Sequence, residues 1–142
     1  TDPRLTRAQS FEKLKSIRTC GELPGLQPAF YTKLIYFLRE REDGYIMDQW
    51  TAKSVNLLVG KPIVQLNKQG YVTDANTPED YERFCHTVDL IADRYRTAQN
   101  EQLTGGQIEE RLFSKRSLKG RPETWRDYVR KQWRPMRLIP PN

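Results

Sequence analysis

The chain has 142 residues, 37% of them hydrophobic and 30% charged, with a mean hydropathy of −0.81 and a formal net charge of +6. That length supports one modest core and leaves no room for a second full domain. No apolar run approaches the roughly 18 residues of a bilayer span, since the longest, Phe30 to Leu38, is broken by Thr32 and Lys33; two cysteines, Cys20 and Cys85, are too few for a disulfide scaffold or a four-thiolate zinc site.

Thr6-Arg-Ala-Gln9 has capping-box spacing, and Ala8, Phe11, Leu14 and Ile17 follow at three-residue steps, which predicts an amphipathic helix over about 7–19. Gly21, Pro24, Gly25 and Pro28 stop it. From Ala29 to about Glu42, Phe30, Leu34, Phe37 and Leu38, with Tyr31 and Ile35 alongside, give a broad apolar face that ends in Arg39-Glu-Arg-Glu-Asp43. After Asp43-Gly44, Ile46, Met47, Trp50, Ser54, Leu57 and Leu58 keep helical spacing to Gly60. A third helix packed on the second is expected.

Between Gly60 and Asp74 the periodicity changes. Pro62-Ile-Val-Gln-Leu66 and Tyr71-Val-Thr73 flank Asn67-Lys-Gln-Gly70, the pattern of a short β-hairpin over about 62–73. The stretch Lys61–Thr73 resembles the end of a winged-helix recognition segment, yet nine residues between Gly60 and Gly70 are too few for a turn and a three-turn helix. Sequence-specific DNA binding is not expected on that ground.

Thr77, followed by Pro78, Glu79 and Asp80, sets a hydroxyl cap, a first-turn proline and two carboxylates at a helix start. Tyr81, Phe84, Cys85, Val88, Ile91, Ala92 and Tyr95 trace one face to about Gln102. Thr104-Gly105-Gly106 interrupts the pattern, and Gln107 to about Lys115 carries Ile108, Leu112 and Phe113. Arg121-Pro122 opens a last helix bearing Trp125, Tyr128, Val129 and Trp133. Arg134 to Asn142 holds three prolines and reads as an extended tail. The fold class is therefore mainly α: a helical body over 1–114 and a basic, aromatic helix with its tail over 115–142.

Charge divides along the same boundary. Residues 1–114 hold 15 basic and 16 acidic side chains, net −1, whereas 115–142 hold 9 and 2, net +7. The excess comes from Lys115, Arg116, Lys119, Arg121, Arg126, Arg130, Lys131, Arg134 and Arg137, opposed by Glu123 and Asp127. Such an asymmetry points to an acidic partner. Trp125, Tyr128 and Trp133 interleave with Arg126, Arg130, Lys131, Arg134 and Arg137, the residue types that dominate interface hot spots and that stack on RNA; the same aromatics could instead close the chain's own core. Lys115, Arg116, Lys119 and Arg121 form the adjoining patch for an anionic partner.

Catalytic signals are sparse. His86 is the single histidine and has neither a cysteine nor a second histidine at a ligand-like offset other than its neighbour Cys85, which falls on an apolar face. Carboxylate pairs Glu79/Asp80, Asp89/Asp93 and Glu109/Glu110 each fall on a predicted polar helix surface, where solvated charge is commoner than acid–base work. No phosphate-binding loop is present. A non-enzymatic role without metal or cofactor is expected.

These features read as an accessory subunit that braces a larger assembly through protein–protein contacts. The chain begins at Thr1 rather than Met, and removal of a mitochondrial presequence would account for that and for the basic balance. The expected assembly is an inner-membrane respiratory or ATP synthase complex, contacted peripherally on its matrix side, with anionic lipid as a further contact. The alternative is a mitochondrial ribosomal protein that binds rRNA through its basic C-terminal segment.

Overall fold

In the computed structural model, residues 5–39, 43–115 and 123–134 are described. They form six helices, α1 Arg7–Thr19, α2 Pro28–Leu38, α3 Gln49–Val59, α4 Pro78–Gln99, α5 Gly105–Phe113 and α6 Trp125–Gln132. The mainly helical class is thus as the periodicity predicts. Among the described residues, no helix is long and apolar enough to cross a membrane. The expected tail over 135–142 lies outside the described residues.

The local chemistry explains most boundaries. Thr6 opens α1 with the anticipated capping box: its hydroxyl accepts from Gln9 N at 3.2 Å and Gln9 Oε1 accepts from Thr6 N at 2.9 Å. Helix α2 ends at Leu38, short of the expected Glu42. Arg39 turns extended there and folds its guanidinium inward, where Nε and Nη2 donate to Asp43 at 2.6 and 3.0 Å and Nη1 donates to Leu5 O at 2.7 Å. Helix α3 starts only at Gln49, because the extended Asp48 caps it and Ile46 and Met47 lie outside the helix. Its other end is closed by Gly60, whose φ of 70° in the left-handed region suits glycine alone among common residues.

Thr77 caps α4 as its sequence context suggests. Thr104 does the same for α5, so the two glycines read as an interruption are instead the first turn of a helix. Between α3 and α4 the chain makes one antiparallel bridge, Leu66 with Val72, around the Asn67–Gly70 turn. Buried amides tie this segment down: Asn56 Nδ2 donates to Val64 O at 2.8 Å while Asn56 Oδ1 accepts from Val64 N at 2.9 Å, and Asn76 Oδ1 accepts from Gln65 N at 2.8 Å.

The core runs through all of α1 to α5. Phe11 of α1, wholly buried, lies edge-on to Tyr31 of α2 and stacked on Tyr81 of α4, each ring centroid 4.9 Å away. Met47, Ala52, Val55, Val64, Phe84, Cys85, Val88, Ile108 and Leu112 complete it. Helix α1 packs on α2 and α4, α5 packs on α3 and α4, and α6 lies across α3 and α5. Both cysteines are free, Cys85 in the core and Cys20 exposed, and His86 is exposed.

Candidate functional site: a carboxylate pair and an aromatic cleft

Two acidic residues influence each other where α3 begins. Asp48 is held by its capping role, with Oδ1 accepting from Trp50 N at 2.7 Å and Thr51 N at 2.9 Å, while Thr51 Oγ1 receives Asp48 N at 3.0 Å. Its position is further fixed from α2, because Met47 N donates to Thr32 Oγ1 at 3.1 Å. Lys33, the next residue of α2, is exposed. From the other side α5 contributes Glu109, which is 5% exposed. Burial, reinforced by the charges of Asp48 and Glu110, pushes the Glu109 carboxyl up to about 8.

Asp48 accepts two backbone N–H bonds at the N-terminus of α3. Glu109, buried and without a hydrogen-bond partner among the described residues, keeps its proton at neutral pH. A buried carboxyl group raised in this way is a candidate for acid–base work.

On its adjoining face, α5 borders a cleft of about 390 Å³ lined by Tyr36, Phe37, Arg39, Thr104, Gly106, Gln107 and Glu110. Phe37 is 72% exposed at this edge. An aromatic wall facing a row of polar side chains suits a flat heterocycle with hydrogen-bonding edges.

Asp48 and Glu109 were not legible as a pair. Glu109 was expected with Glu110 on a solvated surface; the structure corrects this, exposing Glu110 and burying Glu109, because α5 turns that side of its first turns toward α3. Asp80 is likewise buried at 9% exposure, tied to its own helix cap. Asp89 and Asp93, four residues apart, are relieved within the chain: Arg7 and Tyr45 bind Asp89, and Arg96 binds Asp93 at 2.6 Å. The signal available for Asp48 was its own capping box with Thr51.

The basic C-terminal residues lie elsewhere. Trp125 is partly buried and donates Nε1–H to Ser54 Oγ at 2.9 Å, and it stacks on Tyr128, which is 37% exposed. Trp133 caps α6 and lies over Lys53. Arg126 covers the rings of Trp50 and Phe113, and Arg130, also over Trp50, pairs with Asp127 at 2.8 Å. Lys131 pairs with Glu123, Arg134 folds back on backbone carbonyls, and Lys115 is exposed. Arg116, Lys119, Arg121 and Arg137 lie outside the described residues.

A mainly helical domain in which α5 buries one carboxyl group, under the charge of Asp48, and borders an aromatic cleft with its other residues is the class these features define. Residues 4–113, well over half the chain, match the sequence model of the family described as "Putative 8-oxoguanine DNA glycosylase OGG-like protein", and the chain belongs to that family. No curated protein and no solved structure matches it. Asp48, Glu109 and the cleft fall inside the matched region, whereas α6 falls outside it.

Proposed function

We propose that this domain acts on DNA as a base-excising glycosylase, with Asp48 as the working carboxylate. The observation that carries the reading is the Asp48/Glu109 pair within the family-matched region. The family's description names a damaged purine in DNA, and a base must leave the helical stack before an enzyme can reach its glycosidic bond. The cleft between α2 and α5 supports that step: Tyr36 and Phe37 offer a stacking wall, and Gln107 and Thr104 offer polar groups to a base edge.

Cleavage of an N-glycosidic bond builds positive charge on the sugar, which an adjacent carboxylate stabilises. The C1′–N9 bond breaks with its electron pair going to the purine. Water adds its oxygen to C1′, Asp48 takes a proton from that water and gives it to the departing purine anion, so that one water is consumed per base released and the carboxylate is regenerated. Glu109 is a positioning residue: by keeping its proton it adds no second negative charge beside Asp48.

The test is release of 8-oxoguanine from a duplex oligonucleotide carrying one such base, followed by strand scission at the abasic site. Asp48→Asn keeps the shape of the helix cap and is expected to lower release at least 100-fold. Equal release by the variant overturns the assignment of Asp48, and no release by the wild-type chain overturns the activity.

A second reading, a subunit braced by protein neighbours, draws support from the exposed apolar row Phe30, Leu34 and Phe37 on α2. Native fractionation of the source cells with and without nuclease separates the two. Nuclease-resistant migration in a large particle favours the subunit reading, and migration that follows DNA favours the first.

A further inference from the structure

Three cations from two helices converge on one indole. Around Trp50, the second residue after Asp48, stand Lys53 Nζ at 4.8 Å, the Arg126 guanidinium at 4.7 Å and the Arg130 guanidinium at 5.6 Å from the ring centroid. Trp133 lies against Lys53 from another side, again with 4.8 Å between Nζ and the ring centroid. We propose that this cation shelf is the seat of a DNA phosphodiester flanking the target nucleotide, an inference that takes its polyanion from the glycosylase reading above.

The charge balance is the first support. Asp127 reaches Arg130, but that ion pair is exposed on both sides and is screened by solvent. Lys53 is 7% exposed, and among the described residues no hydrogen-bond acceptor or carboxylate oxygen bonds its ammonium group. A buried cation is ordinarily paired or hydrogen-bonded; here its neighbours are two aromatic faces, the like charge of Arg130 and the opposite charge of Asp48, which acts on it without a hydrogen bond. An anion bound on the shelf adds the hydrogen-bonding partner that the ammonium group lacks and offsets the mutual repulsion of the cations.

Geometry selects phosphate. Arg126 and Arg130 are planar forks suited to two oxygens of one phosphate, and Lys53 adds a point charge. The shelf is also tied to the reaction: Trp50 N donates to Asp48 Oδ1, so an anion seated on the indole is registered against the carboxylate. Construction of the shelf requires α6, which lies beyond the family-matched residues. Gly70 leaves room for the lysine, since a Cβ there would stand 2.3 Å from Lys53 Cε and 2.6 Å from Nζ and would push the side chain aside.

Anisotropy titration of the full chain with a duplex oligonucleotide across a sodium chloride series reads the shelf directly. Arg130→Gln, at an exposed position, is expected to bind about tenfold more weakly and to lower the slope of log K against log salt by ~1. Lys53→Met tests the caged cation, and Gly70→Ala displaces it without changing charge; both are expected to weaken binding in the same way. Lys13→Gln, an exposed lysine on α1, which packs on α2 and α4, is the control and keeps wild-type binding. Unchanged affinity and slope in Arg130→Gln and Lys53→Met, with helicity retained by circular dichroism, overturn the seat. A shelf-dependent slope without base release leaves the seat standing and removes the glycosylase reading; base release with unchanged slopes does the reverse. Shelf-dependent binding to single-stranded RNA or to phosphatidylserine vesicles in place of duplex DNA overturns the choice of polyanion.

Discussion

The indole N–H of Trp125 on α6 donates to the hydroxyl oxygen of Ser54 on α3 at 2.9 Å, joining residues 71 positions apart. Ser54 Oγ donates in turn to Leu112 O of α5 at 3.2 Å, so one buried hydroxyl pins three helices. Ser54→Ala is expected to destabilise the fold by about 1–3 kcal/mol, because it leaves the indole N–H partly buried and unpaired. Trp125→Ala is expected to cost about 3 kcal/mol through lost packing. Urea unfolding followed by circular dichroism checks both, and a Ser54→Ala midpoint equal to wild type would show that α6 is held by other contacts.

Stability should fall as pH rises through the titration of Glu109. Its carboxyl is raised from 4.5 to about 8 by burial, so between those values the folded chain binds a proton that the unfolded chain has released. Folding stability is full below pH 4.5, declines up to about pH 8 and levels off above it. Glu109→Gln removes this dependence and should be more stable than wild type at pH 8, by at most ~5 kcal/mol, with the gap closing toward pH 4.5. Thermal unfolding of both proteins across that range is the measurement; a constant gap would place the Glu109 charge in water.

Asp43 behaves in the opposite sense. Despite partial burial, the bidentate bond from Arg39 and the charge of Arg7 hold its carboxyl below the ordinary range. Its contribution is present above the unfolded pKa and is lost as pH falls through the lowered value. Asp43→Asn is expected to cost about 1–3 kcal/mol at pH 7, because Arg39, with only 4% of its side chain exposed, loses its carboxylate. The difference from wild type should shrink in acid, which a series of urea curves from pH 7 to pH 2 would reveal.

Gly105 is a packing requirement. A Cβ at this position would stand 1.8 Å from Tyr45 Oη and 2.3 Å from Cζ, and Tyr45 is held by its bond to Asp89. Gly105→Ala is expected to lower stability by about 1–3 kcal/mol through forced displacement of the tyrosine. Gly106→Ala, whose nearest neighbour would be Tyr36 Oη at 3.7 Å, should be nearly neutral. Thermal melts of the two variants make the comparison; equal melting temperatures would mean that α5 shifts freely to admit the methyl group.

Helix periodicity and capping chemistry were readable in the chain because they act within four residues. The Thr6 and Thr77 caps and the apolar face of α4 are local facts, and they stand as the spacing implied. What depends on tertiary packing was not readable. Helix α2 stops at Leu38 because Arg39 finds Leu5 O and Asp43, partners fixed only once α1 is docked. Glu109 and Glu110 are indistinguishable in sequence, and only the docking of α5 on α3 buries one and exposes the other. Trp50 gave no sign of its surroundings either, since two of the three cations that meet it come from α6, more than 70 residues later.

A chain of polar contacts couples the first helix to the fifth. Arg7 binds Asp89 at 3.1 Å, Asp89 accepts from Tyr45, and the Tyr45 hydroxyl lies hard against the start of α5 at Gly105. Opening of the cleft by withdrawal of α5 would free the ring of Tyr45 and loosen its hold on Asp89, leaving Arg7 to Glu82 and the Asp43 carbonyl. Amide exchange at the N-terminal turn of α1 should then quicken whenever the cleft gapes, which makes the far end of the molecule an indicator of the state of the cleft.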